Sequence, residues 1–245
     1  MKEQRQFSEK QQGFTLIELL VVIVIIGVLA ALIFPVFSAS KAAGNRTTCL
    51  SSFRQLSLAE SLYRQDSEDM FVPRVAVLEG KDTQYDILLL PYVKTASLWS
   101  CVDSKKSDQA KTRSIGLNRA LGTAYDGSNL QPKPVSGSTI METANTLVFA
   151  EDAASYPNQL PPLTARNELT QNVLHACTAV LQKAAGKVTN DYAAALLRHN
   201  DGGNYSMADG SSKRMTPVQT LTPKVMWYVQ SPELNSLVGS SAITA

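Results

Sequence analysis

The side chains that could carry chemistry are few, and the most suggestive set lies toward the C-terminal end of the chain. His199 is followed, after nine residues, by Asp209 and Gly210. A catalytic or metal site would combine His199 with Asp201, Asp209 or Glu151. No second histidine lies close to His199 in the sequence, and no serine stands in a GxSxG nucleophile pattern. A catalytic site is therefore not the favoured interpretation.

Calcium is a second possibility for the same segment, because Asp201, Asn204 and Asp209 carry side-chain oxygens. The segment lacks the ligand spacing and the distal glutamate of an EF-hand loop. The favoured interpretation is structural: a glycine-rich turn leads into a hairpin, and His199 is hydrogen-bonded across it. The other histidine, His175, falls on a predicted helix and is interpreted as a surface or core residue. No metal and no cofactor are predicted.

Glu18 is the second suggestive residue, because it stands at the start of a long apolar run. Nineteen residues without a charge extend from Leu19 to Phe37. As a helix they span about 28 Å, close to the hydrocarbon thickness of a bilayer, about 30 Å. Apolar residues occupy every helical face, as expected for a helix surrounded by lipid. A carboxylate costs about 2.5–3.5 kcal/mol at the centre of such a helix and less toward its end, so Glu18 is expected to have a partner.

A permanent membrane anchor and a cleaved secretory signal both fit this apolar run. The first thirteen residues of the chain are mostly polar and carry Lys2, Arg5 and Lys10. Pro35 lies near the end of the run, and small residues follow it, so that signal peptidase would cut near Ser40. Glu18 argues against an ordinary secretory signal, which has no use for a carboxylate inside its apolar core.

The eight residues from Gly13 to Leu20, GFTLIELL, resemble the cleavage and methylation motif of type IV prepilins and type II secretion pseudopilins. Glycine precedes the cut, phenylalanine follows it, and glutamate stands four residues farther along. The resemblance implies that a prepilin peptidase cuts between Gly13 and Phe14 on the cytoplasmic face and N-methylates Phe14. The hydrophobic helix stays attached to the rest of the chain.

The matched residues have physical roles that suit this processing. Gly13 lets the backbone enter a protease cleft in an extended form that a side chain would hinder. Cleavage turns the Phe14 nitrogen into an ammonium, and Glu18 lies one helical turn away, on the same or a neighbouring subunit. In lipid an unpaired carboxylate and an unpaired ammonium are each costly, and pairing reduces both penalties. Glu18 would thus set the register of assembling subunits.

Pro35 lies inside the predicted helix and lacks the N–H that would bond back to Ala31. A kink or a locally melted turn is therefore predicted there. Related subunits carry a proline at the matching place, where melting lengthens the subunit during packing. A simple bend at the membrane exit fits this sequence equally well.

The elements that carry these residues predict an α+β protein. Beyond Phe37 the helix continues as an amphipathic one, and it ends between Asp66 and Asp69, before Pro73. The resemblance implies one long helix, half in lipid and half as the spine of a globular head. The residue patterns beyond it predict a small antiparallel sheet with long loops and one additional helix. The stripe that packs on the head comprises apolar residues at spacings of three and four: Leu50, Phe53, Leu56, Ala59 and Tyr63.

The predicted organisation has four parts. They are a cleaved leader over 1–13, a transmembrane or filament-core helix over 14–37, an amphipathic continuation over 38–68, and a globular α+β head over 69–245. Within the head, 167–185 is predicted as the additional helix, with Asn167 as its N-cap and Gly186 beyond its end.

Short strands and loops are predicted for the rest of the head. Asp209-Gly210 is a strong hairpin signal, because both residue types tolerate a positive φ. The candidate strands are 146–150, 205–208, 213–216 and 225–229. The segments 122–138 and 155–164, rich in Gly, Ser, Asn and Pro, are interpreted as surface loops.

The tail from His199 to Asp209 and Gly210 resembles the H-X(9)-DG motif that closes the globular part of one large prepilin-like subfamily. The surroundings of Cys49 and Cys101 fit that subfamily more loosely, and the insert from about 153 to 190 has no clear match. Cys49 on the spine and Cys101 in the head are interpreted as a disulfide worth about 4 kcal/mol; two unpaired thiols are the alternative. Cys177 is then left over.

Charge and cysteine spacing exclude several functions. The chain has 23 basic and 21 acidic residues, a net charge of +2, and its basic residues are scattered. Nucleic acid is therefore not predicted as a partner. The three cysteines have no close spacing and no CxxC, so a structural zinc site is not indicated.

The predicted function is a structural, non-enzymatic subunit of a type IV pilus-like or type II secretion pseudopilus-like filament. The predicted partners are prepilin peptidase, identical or related subunits through the N-terminal helix, the inner-membrane assembly machinery and membrane lipid. The predicted location is the bacterial inner membrane, with the leader in the cytoplasm and the head outside, or a periplasmic or cell-surface filament. Two alternatives stay open: a membrane-tethered surface-binding protein that does not polymerise, and a soluble exported protein released near Ser40.

Overall fold

A computed structural model of the chain describes residues 14–104, 113–122, 124–126, 129–131, 134–155, 168–189, 191–222 and 226–227. The chain divides into two compact units, Met1–Gly44 and Asn45–Ala245. Within the described residues the architecture combines one long helix with antiparallel sheets and a few short helices, which confirms the predicted α+β class.

Helix α1 runs without interruption from Leu16 to Asp66. Its end at Asp66 agrees with the predicted end, and the chain then turns through Glu68 and Asp69, both at positive φ. Pro35 lies inside this helix, and the residues around it are helical. The locally melted turn predicted at Pro35 is therefore absent from this structure, since the surrounding apolar residues keep their helical hydrogen bonds despite the missing N–H.

The second half of α1 is amphipathic and contributes to the main hydrophobic core. Phe53 and Leu56 are fully buried and Ala59 is nearly so, as the spacing predicts, whereas Leu50 and Tyr63 are half-buried. Burying each large side chain stabilises the fold by about 1.5–3 kcal/mol. The core around this stripe includes Phe71, Val72, Leu89, Trp99, Ile115, Leu121 and Phe149.

The central sheet has four antiparallel strands in the order β3-β6-β7-β8, with bounds Arg113–Leu117, Leu147–Ser155, Gly203–Met207 and Ser212–Met215. Strands β6, β7 and β8 confirm three of the predicted strands, although β6 is longer than predicted. Asp209 and Gly210 form the turn between β7 and β8, with Gly210 at φ 85°. That φ suits glycine because a Cβ is disfavoured there.

Within the described part of the chain, two further hairpins lie outside this sheet. One pairs β1 (Val75–Leu78) with β2 (Lys81–Gln84), and the other pairs β4 (Ala124–Asp126) with β5 (Asn129–Gln131). The second hairpin corrects the prediction of a loop over 122–138, because cross-strand backbone hydrogen bonds outweigh the weak strand propensity of that polar segment. The strand predicted over 225–229 is also wrong at 226–227, which form a turn; the rest of that range lies outside the described residues.

Among the described residues, three α-helices follow α1. They are α2 (Tyr85–Leu88), α3 (Glu168–Ala184) and α4 (Asp191–Leu196). Helix α3 is the predicted additional helix, and Gly186 beyond it has φ 70°. The predicted N-cap, Asn167, lies outside the described residues. Of the loop predicted over 155–164, Ser155 is instead the last residue of β6, and the rest lies outside the described residues. Helices α3 and α4 help to build a second apolar cluster with the sheet: Leu147, Ala150, Ala176, Ala179, Leu196, Tyr205, Met207, Met215 and Trp227.

Candidate functional site

The first candidate site is the beginning of α1. Thr15 and Glu18 form a reciprocal cap: the Thr15 backbone N–H donates to Glu18 Oε2 at 2.8 Å, and the Glu18 N–H donates to Thr15 Oγ1 at 3.3 Å. The Thr15 hydroxyl also donates to Glu18 Oε2 at 2.7 Å. This is the capping-box arrangement, which satisfies backbone donors that the first turn of a helix leaves unpaired.

The partner of Glu18 in this structure is therefore the start of its own helix. Phe14 is 83% exposed, and its nitrogen belongs to a peptide bond in the unprocessed chain, so it carries no ammonium. Gly13, the other residue of the predicted cleavage site, lies outside the described residues. The pairing of Glu18 with a processed Phe14 stays a prediction.

The apolar run that follows is uncovered. Within the described residues, α1 is long and apolar enough to cross a membrane, with a mean hydropathy of 3.3 in its most apolar window and no buried residue there. Exposed apolar residues form a continuous series from Phe14 to Phe37. Water disfavours this much apolar surface, so the segment requires lipid or other protein around it.

The second candidate site begins with a disulfide. Cys49 on α1 and Cys101 after the segment Ala96–Trp99 are bonded to each other, with their Cα atoms 5.4 Å apart. This is the predicted pairing. Cys177, on α3, is a free thiol. A hydrogen bond close to the disulfide joins the same two parts of the chain: Asn45 Nδ2 donates to Asp103 Oδ1 at 2.6 Å.

His199 lies buried against this disulfide. Its Nε2 atom is 3.4 Å from the Sγ atom of Cys101 and 2.9 Å from Oε1 of Glu151. Its Nδ1 atom faces Oδ2 of Asp103 at 3.4 Å. The predicted hydrogen bond across the turn also exists, but it uses the backbone: the His199 N–H donates to the carbonyl of Gly202 at 2.8 Å. The side chain reaches different partners.

Glu151, on β6, contacts Arg198, His199 and Asn204, and these four residues with Asp103 form a buried cluster. Its side chain is fully buried, and Oε1 accepts hydrogen bonds from the backbone N–H and the side-chain amide of Asn204 at 3.1 and 2.8 Å. Its Oε2 accepts from Arg198 at 3.1 Å, and Arg198 also donates to the carbonyl of Asp152. A buried carboxylate needs such partners because desolvation penalises its charge.

The strands explain why these side chains meet. Glu151 lies on β6, which pairs with β3 on one side and with β7 on the other. Strand β7 carries Asn204 and follows the turn that carries Arg198 and His199. Arg214 on β8 closes the turn from the other side, because its Nε donates to the carbonyl of His199 at 2.8 Å. The backbone of the turn is thus held by the sheet that it joins.

Asp209 and the other candidate calcium ligands do not converge. Asp209 Oδ1 accepts from the Ser211 N–H at 2.9 Å within the β7–β8 turn. Asp201 is exposed and forms an ion pair with Lys183 at 3.1 Å, and Asn204 is turned toward Glu151. Asp209 and Gly210 are therefore turn residues here, whereas His199 belongs to the buried cluster.

Sequence reasoning missed two members of this cluster, Asp103 and Arg198, and named Asn204 only as a candidate calcium ligand. Glu151 was named only as one of several possible partners of His199. A charged residue inside an apolar strand is a signal of a buried partner, and Glu151 in the run Leu147–Ser155 shows that signal. The identity of the partner is not encoded locally, since it depends on which strands pair.

A second buried carboxyl group, Glu60 on α1, lies outside this cluster. Burial raises its pKa to about 8, and the nearby Arg64 guanidinium and the Val72 N–H offset that rise only in part. Its Oε1 atom has no hydrogen-bond partner among the described residues. Glu60 thus titrates in the neutral range.

Two kinds of comparison link the chain to known proteins, and a family model places one match at the N-terminal end. The family described as "Prokaryotic N-terminal methylation motif" matches residues 9–34. The type II secretion system core protein G of Escherichia coli K12 is 42% identical over 60 residues, which are 24% of this chain and 41% of that protein. A fimbrial protein of Pseudomonas aeruginosa is 38% identical over 77 residues, 31% of this chain and 47% of that protein.

The similarity covers only part of this chain and only part of each relative. The chain spans less than half the length of these curated relatives. No solved structure matches the chain significantly. The match to the methylation motif confirms the prepilin-type resemblance of the N-terminal segment. It does not reach the tail, so membership of the subfamily with the H-X(9)-DG motif stays a prediction.

Proposed function

We propose that this chain is a structural subunit of a filament of the type IV pilus or type II secretion pseudopilus class, made as a precursor. The observation that carries the proposal is the methylation motif over 9–34, which coincides with the beginning of a long, uncovered apolar helix. The similarity to proteins named as a type II secretion core protein and a fimbrial protein supports the same class.

Processing is the first step of the proposed function. A prepilin peptidase removes residues 1–13 by cutting after Gly13 and methylates the nitrogen of Phe14. The apolar helix over 14–37 remains in the inner membrane, and the head is exported. Phe14 is exposed in the structure, as a residue at a cleavage site must be.

Assembly is the second step. Before processing, Glu18 is bonded to Thr15. After processing, the Phe14 ammonium offers an opposite charge within one helical turn, whereas the donors that Thr15 offers to the carboxylate are neutral. In a membrane the carboxylate then pairs with the ammonium of its own or a neighbouring subunit. The apolar helices pack together in the filament core, with the heads on the outside.

The buried cluster in the head has a structural role in this proposal. The disulfide and the ion pair of Glu151 with Arg198 hold α1, the sheet and the tail turn together. Filament subunits bear mechanical load between the helical core and the head. A covalent link from Cys49 on the helix to Cys101 in the head suits that load.

Mass spectrometry of the N-terminal peptide of the mature protein tests the proposal. The chain is expressed with and without a prepilin peptidase, and the peptide is identified in membranes from each strain. The expected peptide begins with N-methylated Phe14 only when the peptidase is present. The matched control is Gly13→Val, which blocks the cut while leaving the helix unchanged.

The other outcomes identify the alternatives. A chain that begins close to Ser40 in both strains is a secreted protein released by signal peptidase. A chain that keeps Met1 in both strains is a plain membrane anchor, in accordance with a surface-binding protein that does not polymerise. Either result contradicts the proposed processing.

A further inference from the structure

The disulfide and His199 together place three metal-binding side chains at one buried point. The Sγ atoms of Cys49 and Cys101 and a ring nitrogen of His199 all lie within 4.8 Å of one another. The three residues are almost completely buried. Their separation in the sequence hides this grouping, which the fold alone creates.

We propose that the dithiol form of this protein binds one Zn²⁺ ion through Cys49, Cys101 and His199, and that formation of the disulfide abolishes the site. The inference is independent of the proposed function. Disulfide sulfur is a poor ligand, whereas a thiolate is a strong one for zinc. The oxidised head therefore carries a covalent bond where the reduced head carries a metal.

The chemistry of the change is a thiol–disulfide exchange. A dithiol reductant donates two electrons and two protons, the bond between Cys49 and Cys101 breaks, and the reductant becomes a disulfide. Binding of Zn²⁺ then displaces the protons of the two thiols. In zinc sites the sulfur and nitrogen ligands lie about 2.3 and 2.0–2.1 Å from the ion. The two sulfur atoms, once their bond is broken, must therefore move apart to admit the ion between them and His199.

His199 is oriented as a zinc ligand requires. Its Nε2 atom points toward Cys101 at 3.4 Å, and its Nδ1 atom faces the carboxylate of Asp103 at 3.4 Å. Metal-binding histidines commonly donate their second ring N–H to a carboxylate, which fixes the ring and strengthens the ligand. Asp103 is in turn held by Asn45 on α1, next to Cys49 in space and sequence.

Glu151 stands next to these three ligands, with its Oε1 atom 2.9 Å from His199 Nε2, and Arg198 balances its charge. The two thiolates balance the charge of Zn²⁺, and the imidazole ligand is neutral. A buried site with an unbalanced charge would be costly.

Cobalt spectroscopy on the full chain in detergent micelles tests the proposal. The protein is reduced with a dithiol, which is removed without oxygen before Co²⁺ is added, and Zn²⁺ is then titrated in to displace it. The expected result is one Co²⁺ per reduced chain, with thiolate charge-transfer bands and the intense visible bands of tetrahedral cobalt. The oxidised chain shows neither.

Variants assign the ligands. His199→Ala is expected to weaken Zn²⁺ binding at least about 10-fold, and Asp103→Asn to weaken it about 10-fold through His199. Cys177→Ser and His175→Ala are the matched controls, because they remove the remaining thiol and the remaining imidazole; both retain wild-type affinity. Circular dichroism checks that each variant is folded. If His199→Ala does not fold, Asp103→Asn still tests the site, because Asp103 is only half-buried.

Three results would overturn the proposal. The first is a reduced wild-type chain that binds no stoichiometric Co²⁺, whether it is folded or unfolded. The second is an oxidised chain with the same cobalt spectrum as the reduced one. The third is a Zn²⁺ affinity that is unchanged in His199→Ala or lost in Cys177→Ser, because the metal would then lie elsewhere.

Discussion

Oε1 of Glu151 lies 2.9 Å from Nε2 of His199, deep inside the head, with both side chains almost inaccessible to solvent. Glu151 comes from a strand and His199 from the turn that precedes another strand. Their contact joins the tail to the sheet and leaves the disulfide packed against the imidazole. The stability of the head therefore depends on charges that water does not reach.

Replacing Glu151 with glutamine should destabilise the head strongly. The change removes the buried carboxylate and leaves Arg198 without its ionic partner. Breaking a buried ion pair costs about 3–5 kcal/mol. Chemical denaturation of the full chain in detergent, followed by the fluorescence of the two tryptophans, measures the change in the free energy of unfolding.

Lys183→Ala is the matched control for Glu151→Gln. It breaks the ion pair with Asp201, in which both side chains are about half exposed. Exposed pairs contribute about 0–1 kcal/mol. Equal losses from the two substitutions would show that the Glu151 cluster does not stabilise the fold.

Reduction of the disulfide, or the substitution Cys49→Ser, should destabilise the head by about 4 kcal/mol when metal is excluded by a chelator. The bond closes a loop with a sequence separation of 52, and its loss restores conformational entropy to the unfolded chain. Urea denaturation with and without a reductant measures the difference. Cys177→Ser is the control and should change the unfolding free energy little.

The same bond can be verified directly. Mass spectrometry of the unreduced protein should yield one linked peptide pair that contains Cys49 and Cys101. A linked pair that contains Cys177 would contradict the pairing.

Glu60 should make the head less stable as the pH rises. The pKa of Glu60 is raised from 4.5 to about 8 in the folded state, so folding favours the protonated form. Its contribution to stability is fully present below pH 4.5 and is lost as the pH rises to about 8. At about 1.4 kcal/mol per pKa unit the loss reaches roughly 4–5 kcal/mol.

Glu60→Gln tests this dependence, because glutamine has the same shape and does not titrate. Arg64 and Asp69 are the charged groups that act on Glu60, and the variant retains both. The free energy of unfolding of wild type minus that of Glu60→Gln should fall between pH 5 and pH 8. A difference that is constant across this range would contradict the raised pKa.

Glu18→Ala should leave membrane insertion and cleavage intact and reduce incorporation into filaments. The carboxylate is proposed to pair with the ammonium of processed Phe14, and alanine leaves that ammonium unpaired in lipid. Filament yield by electron microscopy, compared with the amount of mature subunit in membranes, measures the effect. Normal yield would refute the role of Glu18 in assembly.

Two further substitutions separate charge pairing from helix capping. Thr15→Val removes the hydroxyl that caps α1 and retains the Glu18 charge, so filament yield should stay close to that of wild type. Glu18→Gln removes the charge and retains a hydrogen-bond acceptor, so yield should fall as it does for Glu18→Ala. The opposite pattern would assign the effect to capping.

The N-terminal helix and its processing motif could be predicted from the sequence by itself. The motif from Gly13 to Leu20 is contiguous, and the apolar run up to Phe37 has the length and composition of a bilayer helix. Helical periodicity is also a local property, which explains why the end of α1 at Asp66 and the buried positions Phe53 and Leu56 agree with the prediction. Asp209-Gly210 indicated its hairpin for the same reason.

Only the tertiary structure determined which side chains meet in the buried cluster of the head. Strand pairing brings Glu151, Arg198 and Asn204 together from distant parts of the chain, and no local pattern encodes which strands become neighbours. The hairpin of β4 and β5 was missed because its segment has weak strand propensity. His199 shows the difference. Its motif was visible in the sequence, but its contacts with Cys101 and Glu151 exist only because strand pairing places the turn that carries His199 against the disulfide.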